Sequence, residues 1–233
     1  MTIAGLLLPF SAGQVSACIL VVFLTAIMRG YTGFGFALVA VPLLALIADP
    51  VTAVPMVLLL EVVGSLQLLP GLWRAAHLRS VLLLVGGALL ATTCALAAGL
   101  EASREPGAPA TFGVGILSGL LNGAAAMSGP PVVLFYLNAQ TAMHVGRASI
   151  VLYFLLSDTV AIGFAGASGL MGASTILLAA VTVPALFVGQ VIGTRLFRSA
   201  LQRHYRIVAI VILLAVSGFA IVQSVHALWG SGS

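Results

Sequence analysis

The chain has no lysine. Nine arginines and five acidic residues are all the fixed charge in 233 positions. Charged residues make up 6% of the chain, where a soluble domain carries roughly a quarter. With 61% hydrophobic residues, no water-soluble fold of this size can bury its apolar surface. The net charge of +4 does not point to nucleic acid. The arginines stand in short loops beside apolar runs, where basic residues set membrane orientation. Only two cysteines occur, Cys18 and Cys94, both inside apolar runs. They read as small buried hydrophobes rather than a disulfide framework. The chain lacks a P-loop, a His-Glu-x-x-His and a Cys-x-x-Cys motif. Ser128 lacks the Gly-x-Ser-x-Gly elbow, and four scattered histidines give no metal-ligand spacing. Neither an enzyme nor a cofactor or metal is expected. The start of the chain has no basic region before its first apolar stretch, which argues against a cleaved signal peptide.

What is present is a series of apolar segments divided by Gly, Pro and charge. They run from about Val15 to Ala48, Val51 to Leu72, Leu78 to Leu100, Phe112 to Leu137, Val145 to Ala165, Ile176 to Phe197 and Ile207 to Leu228. At about 20 residues per span, this predicts an all-α, polytopic membrane protein. An open sheet cannot satisfy its backbone in lipid, and barrel alternation is missing. The first segment is too long for one straight span. The loop with Arg74, His77 and Arg79, and that from Arg195 to Arg206, should be cytoplasmic. The acidic loop with Glu101, Arg104 and Glu105 and the uncharged loop Gly166 to Ser174 should be outside. A seven-span path from a cytoplasmic N-terminus satisfies these assignments.

An internal repeat is visible. Gly33-Phe-Gly35 through Leu44 lies over Met127-Ser128-Gly129-Pro130-Pro131 through Asn138. Each copy precedes an apolar helix with one acid near its middle, Glu61 and then Asp158. The following loop is basic in the first half and uncharged in the second, so the halves are expected to be inverted. Residues 1–105 and 106–233 form the two pseudo-symmetric membrane repeats. Inverted repeats with interrupted helices are a common transporter design.

At Arg29-Gly-Tyr-Thr-Gly-Phe-Gly35-Phe to Pro42-Leu-Leu44, and at Gly119-Leu-Leu-Asn122-Gly123 to Ser128-Gly129-Pro130-Pro131, the chain resembles the sulfite exporter TauE/SafE family. Arg147-Ala-Ser149 and Gly189 to Arg195 add to the match. The resemblance implies export of a small anion, such as sulfite or an organosulfonate, across the bacterial inner membrane. It also implies two repeats of four helical segments. Between Leu100 and Phe112 there is no room for a further span of about 20 residues. Either the first repeat lacks one helix and the protein has seven segments, or a segment of the long first run or of the fourth is re-entrant.

The candidate sites follow from the breaks. Ser128 is a good N-cap and Pro130 suits a helix start, so a helix should begin there at membrane depth. Its positive end would attract an anion. Gly33 and Gly35 allow the same break in the first copy, and a kink for close packing is the alternative. Arg29 should face a cavity or a partner, or else snorkel to the interface. Arg147 is either part of the anion path or an interfacial, topogenic residue. Glu61 and Asp158 either couple transport to protons, because burial disfavours the carboxylate, or are structural acids, one of them partnering an arginine. Asn122, Gln67, Asn138 and Gln190 either donate to a substrate or tie helices together. The function expected is secondary transport of a small anion by alternating access, with the anion and the bilayer as partners. The alternatives are a scaffold without transport activity and an intramembrane hydrolase.

Overall fold

The computed structural model describes residues 2–3, 6–7, 9–76 and 142–198, with isolated positions at 78, 81, 82, 85, 132, 133 and 211. Five helices dominate it: α1 (Ala12–Thr32), α2 (Phe36–Ala48), α3 (Pro50–Leu72), α4 (Met143–Ala167) and α5 (Ala173–Arg198). A 3-10 turn, Trp73–Ala75, follows α3. A two-residue antiparallel pairing, Thr2–Ile3 with Leu6–Leu7, precedes α1. Among the described residues, α1, α3, α4 and α5 are long and apolar enough to cross a membrane. The protein is a multi-pass helical membrane protein.

Local chemistry sets the helix boundaries. Ser11 caps α1 in a reciprocal box: Gln14 N–H donates to Ser11 Oγ at 3.2 Å, and Ser11 N–H to Gln14 Oε1 at 2.9 Å. Asp49 caps α3, accepting from Thr52 N–H at 2.8 Å, with Pro50 in the first helical turn. The α1–α2 break is made by two left-handed glycines, Gly33 at φ 84° and Gly35 at φ 88°. L-residues adopt that region at a steric cost, and glycine does so freely.

The long first segment is not one bent span. Gln14 Nε2 donates to the Ile47 carbonyl at 3.0 Å, so the end of α2 returns to the level where α1 began. The helix α2 has 13 residues, about 20 Å at 1.5 Å per residue, and is too short for a bilayer core of about 30 Å. It is the returning arm of a hairpin whose turn lies inside the protein.

Helices α1 and α5 pack closely and run in the same direction. A Cβ at Gly189 would meet the Phe23 carbonyl at 2.6 Å, and one at Gly193 the Ile27 carbonyl at 2.1 Å. Ala26 and Gly30 on α1 complete this small-residue seam, which lets two backbones approach without side chains between them. Tyr31 then meets Phe197 edge to face at 6.0 Å.

These contacts place Arg195 and Arg198 of α5, the end of α3 and the start of α4 at one end of the bundle. Ser11, Asp49 and the α4–α5 turn at Gly169 lie at the other. If the arginine end is cytoplasmic, α1 starts on the external side. In that orientation the start lies opposite to the expected cytoplasmic one, because the first segment turns back where loop counting allowed one pass. The observed spans α3, α4 and α5 fall within about three residues of the predicted segments.

Candidate functional site

Arg29 lies in the last turn of α1, fully buried. Its Nη1 is paired with Glu61 Oε2. Its Nη2 donates to the Glu61 carbonyl at 3.1 Å and to Ser65 Oγ at 2.6 Å. Glu61 and Ser65 are four apart on α3 and share one face of it. The guanidinium also stands 6.0 Å from the centre of the Phe36 ring. Arg29 Nε is buried and has no hydrogen-bond partner among the described residues. Snorkelling is thereby excluded, and the partner is the acid that the sequence left between two roles.

Glu61 has a second contact. Its Oε1 accepts the Ala37 N–H at 3.2 Å. Ala37 is the second residue of α2, so the carboxylate caps the positive end of the helix that starts after Gly35. The sequence expected this end to attract an anion. It does hold one, but the anion is a side chain of the protein itself.

The other side of the break carries the opposite charge. Arg147, on the second turn of α4, is buried. Its Nη2 donates to the Gly30 carbonyl at 2.6 Å and lies 3.4 Å from Thr194 Oγ1. Thr194 itself donates to the Gly30 carbonyl at 3.3 Å. Gly30 is in the last turn of α1, where carbonyls lack helical partners and cations are favoured. The Arg147 guanidinium also stacks 4.6 Å from the centre of Phe197. Arg147 thus sits inside the bundle rather than on its surface, and ties α4 to α1 and α5.

The break therefore has a carboxylate at its helix start and a guanidinium at its helix end. Gly33 lies between them, and a Cβ there would meet Arg147 Cγ at 2.8 Å. Thr32 Oγ1 lies 2.8 and 2.7 Å from the Met28 and Phe34 carbonyls, to either of which its one hydrogen can be donated, and accepts the Phe34 N–H at 3.2 Å. Gly30 is level with Gln190 and Gly193, and α5 continues from there to Arg198. At 1.5 Å per residue the break lies about 10 Å in from that end.

Asp158 on α4 is buried and within electrostatic reach of Arg29. Gln67 ties helices, donating to the Phe187 carbonyl at 3.2 Å. Gln190 is fully buried, and neither its Oε1 nor its Nε2 has a partner among the described residues. Asn122, Ser128, Gly129, Pro130 and Asn138 lie outside the described residues, so the second break is not seen. Sequence reasoning missed Ser65, Thr194 and the Ala37 amide. Ser65 had a signal in its spacing of four from Glu61. A backbone amide carries none. Among the described residues no cluster of His, Cys, Asp and Glu is arranged to hold a metal.

A family model described as sulfite exporter TauE/SafE matches residues 18–105. That interval contains Arg29, Gly33, Gly35 and Glu61, and the resemblance read from the glycine motifs is borne out over it. The description is of an exporter and not of an enzyme. The chain is also 31% identical over 115 residues to the probable sulfite/organosulfonate exporter TauE of Cupriavidus necator. The match covers 46% of this chain and 44% of that relative, so the chain spans less than half of the relative's length. No solved structure matches the chain.

Proposed function

We propose that the protein is a secondary transporter that exports a small anion of the sulfite or organosulfonate class by alternating access. The observation that carries this reading is the state of Arg29. A fully buried guanidinium beside a broken helix keeps its Nε–H without a partner among the described residues, and a carboxylate occupies the place where a substrate anion would be held. Intramembrane charges are costly and mark ion pathways. The similarity to an exporter family supplies the substrate class and direction.

In this reading Glu61 is an internal stand-in for the anion. When Glu61 takes a proton, the Arg29 guanidinium and the Ala37 amide lose their anionic partner. A sulfite or sulfonate oxygen then takes the same two donors. Proton and anion occupy the centre together, and deprotonation of Glu61 expels the anion. Asp158 is a second carboxylate through which the charge of the centre can be adjusted. If the proton stays with Glu61 or returns inward, the anion leaves carrying its own charge, and a potential negative inside favours that step by about 2.3 kcal/mol per charge for each 100 mV.

The reading extends to two inverted repeats, 1–105 and 106–233. The acid-bearing helices α3 and α4 run in opposite directions, as inversion requires. Asn122, Ser128, Gly129 and Pro130 are then the matching half-site, placed in a bacterial inner membrane. Proteoliposomes loaded with sulfite, a short alkanesulfonate or sulfate test the function. Saturable efflux of the first two, lost in Arg29→Gln, is expected. A protein that moves none of the three anions is a scaffold, and the proposal fails.

A further inference from the structure

A cavity of about 230 Å³ lies between α3 and α5 at the arginine end of the bundle, lined in part by Gln67, Gln190, Thr194, Arg195 and Arg198. One water occupies about 30 Å³ of liquid, so a small oxoanion fits with part of its hydration shell. The two arginines are exposed and supply positive charge at the opening. Their sequence reading as topogenic residues does not account for the groups beneath them.

Gln190 is the second observation. Its side chain is fully buried, lines the cavity and leaves both polar atoms unpartnered among the described residues. Buried amides normally find partners, because an unmet group forfeits its hydration. The residue is wedged between α1 and α3. A Cβ at Gly30 would meet the Gln190 carbonyl at 2.5 Å, and one at Gly64 its Nε2 at 2.3 Å. Gly64 keeps room for this amide, and Gly30 lets the α5 backbone at Gln190 approach α1. Gln67 adds an acceptor: its Nε2 is committed to the Phe187 carbonyl, which fixes the orientation of the amide and leaves a buried Oε1 without a partner among the described residues. Thr194 lines the cavity and also touches the Gly30 carbonyl held by Arg147. One turn of α5 thus connects the cavity to the broken helix.

From this arrangement we infer that the cavity is a second oxoanion site, an entry vestibule distinct from the Arg29–Glu61 centre. Arg195 and Arg198 collect the anion, and Gln190 Nε2 donates to one of its oxygens. The Gln67 acceptor suits an oxoanion that still carries a proton, such as hydrogen sulfite, over fully deprotonated sulfate. The inference deepens the transport reading but rests on separate residues.

The test is sulfite binding to detergent-purified full-length chain by calorimetry, with sulfate as the comparison. It is done in wild type and in an Arg29→Gln/Glu61→Gln background that removes the charges of the inner centre. The background protein is expected to keep one weak sulfite site, with sulfate at least fivefold weaker. Gln190→Glu, which puts a negative charge in place of the donor, should weaken it at least tenfold. Gln67→Leu should remove the preference for sulfite over sulfate. If Gln190→Glu does not yield monodisperse protein, Arg198→Gln takes its place, with at least a threefold loss expected. No sulfite binding in the background protein overturns the inference, as does binding that these substitutions leave unchanged. Absence of flux in wild type with this binding intact would defeat the transport reading and leave the vestibule standing.

Discussion

The Arg147 guanidinium donates to the Gly30 carbonyl at 2.6 Å, across 117 positions of sequence. This contact joins the end of α1 to the first turns of α4, and it sits opposite the Glu61 carboxylate that caps the start of α2. Replacing Arg147 with Met keeps much of the apolar stem and removes the donor. A hydrogen bond involving a charged group contributes about 1.5–3 kcal/mol, so a loss of that size is expected in detergent unfolding. Unchanged stability would show that Thr194 alone satisfies Gly30.

Arg29 and Glu61 should behave as a coupled pair. Removing one partner of a buried ion pair costs about 3–5 kcal/mol, because the other charge stays buried. Arg29→Gln and Glu61→Gln should each approach that loss, and the double variant should lose less than their sum. The measurement is a double-mutant cycle of unfolding free energy. Additive losses would mean that the two side chains do not depend on each other.

Gly33→Ala should cost about 1–3 kcal/mol from its left-handed backbone, with more from the contact with Arg147. Gly163 lies in α4, and among the described residues a Cβ there meets nothing within 4 Å. Gly163→Ala should therefore be neutral or stabilising by up to about 1 kcal/mol. Thermal unfolding of the two variants side by side checks the difference. Equal effects would remove the steric account of the break.

Orientation is testable by labelling single cysteines in a background without Cys18 and Cys94. Ser11→Cys and Ala173→Cys should react with an impermeant reagent from outside, and Trp73→Cys only after the membrane is opened. Reaction of Ser11→Cys from the inside would restore the cytoplasmic start expected from the sequence.

The spans were legible in the sequence because hydrophobic length and the punctuation of Gly, Pro and charge are local signals. The break was legible for the same reason: Gly33 and Gly35 stand two apart in an otherwise apolar run. The fold-back of α2 was present only as one of two alternatives, a re-entrant segment in the first run. It depends on tertiary contacts such as Gln14 with Ile47, and a run from Val15 to Ala48 is equally apolar whether it crosses once or returns. The buried role of Arg147 was hidden, since an arginine at a segment start looks the same at an interface and inside a bundle. The pairing of Arg29 with Glu61 was present only as one of two alternatives, because sequence spacing does not show which helices meet. Gln190 carried no mark to distinguish it from a helix-tying amide until its neighbours Gly30 and Gly64 were placed beside it.

The central claim is that Glu61 gives up its donors to the anion only when it takes a proton. Sulfite binding measured by calorimetry in buffers of different ionisation enthalpy counts the protons taken up with the anion. The wild type should take up about one proton more per bound anion than Glu61→Gln, at a pH where the free anion's own protonation is the same in both. Equal proton uptake by the two proteins would contradict the account and place the exchanged proton elsewhere, with Asp158→Asn the next variant to measure.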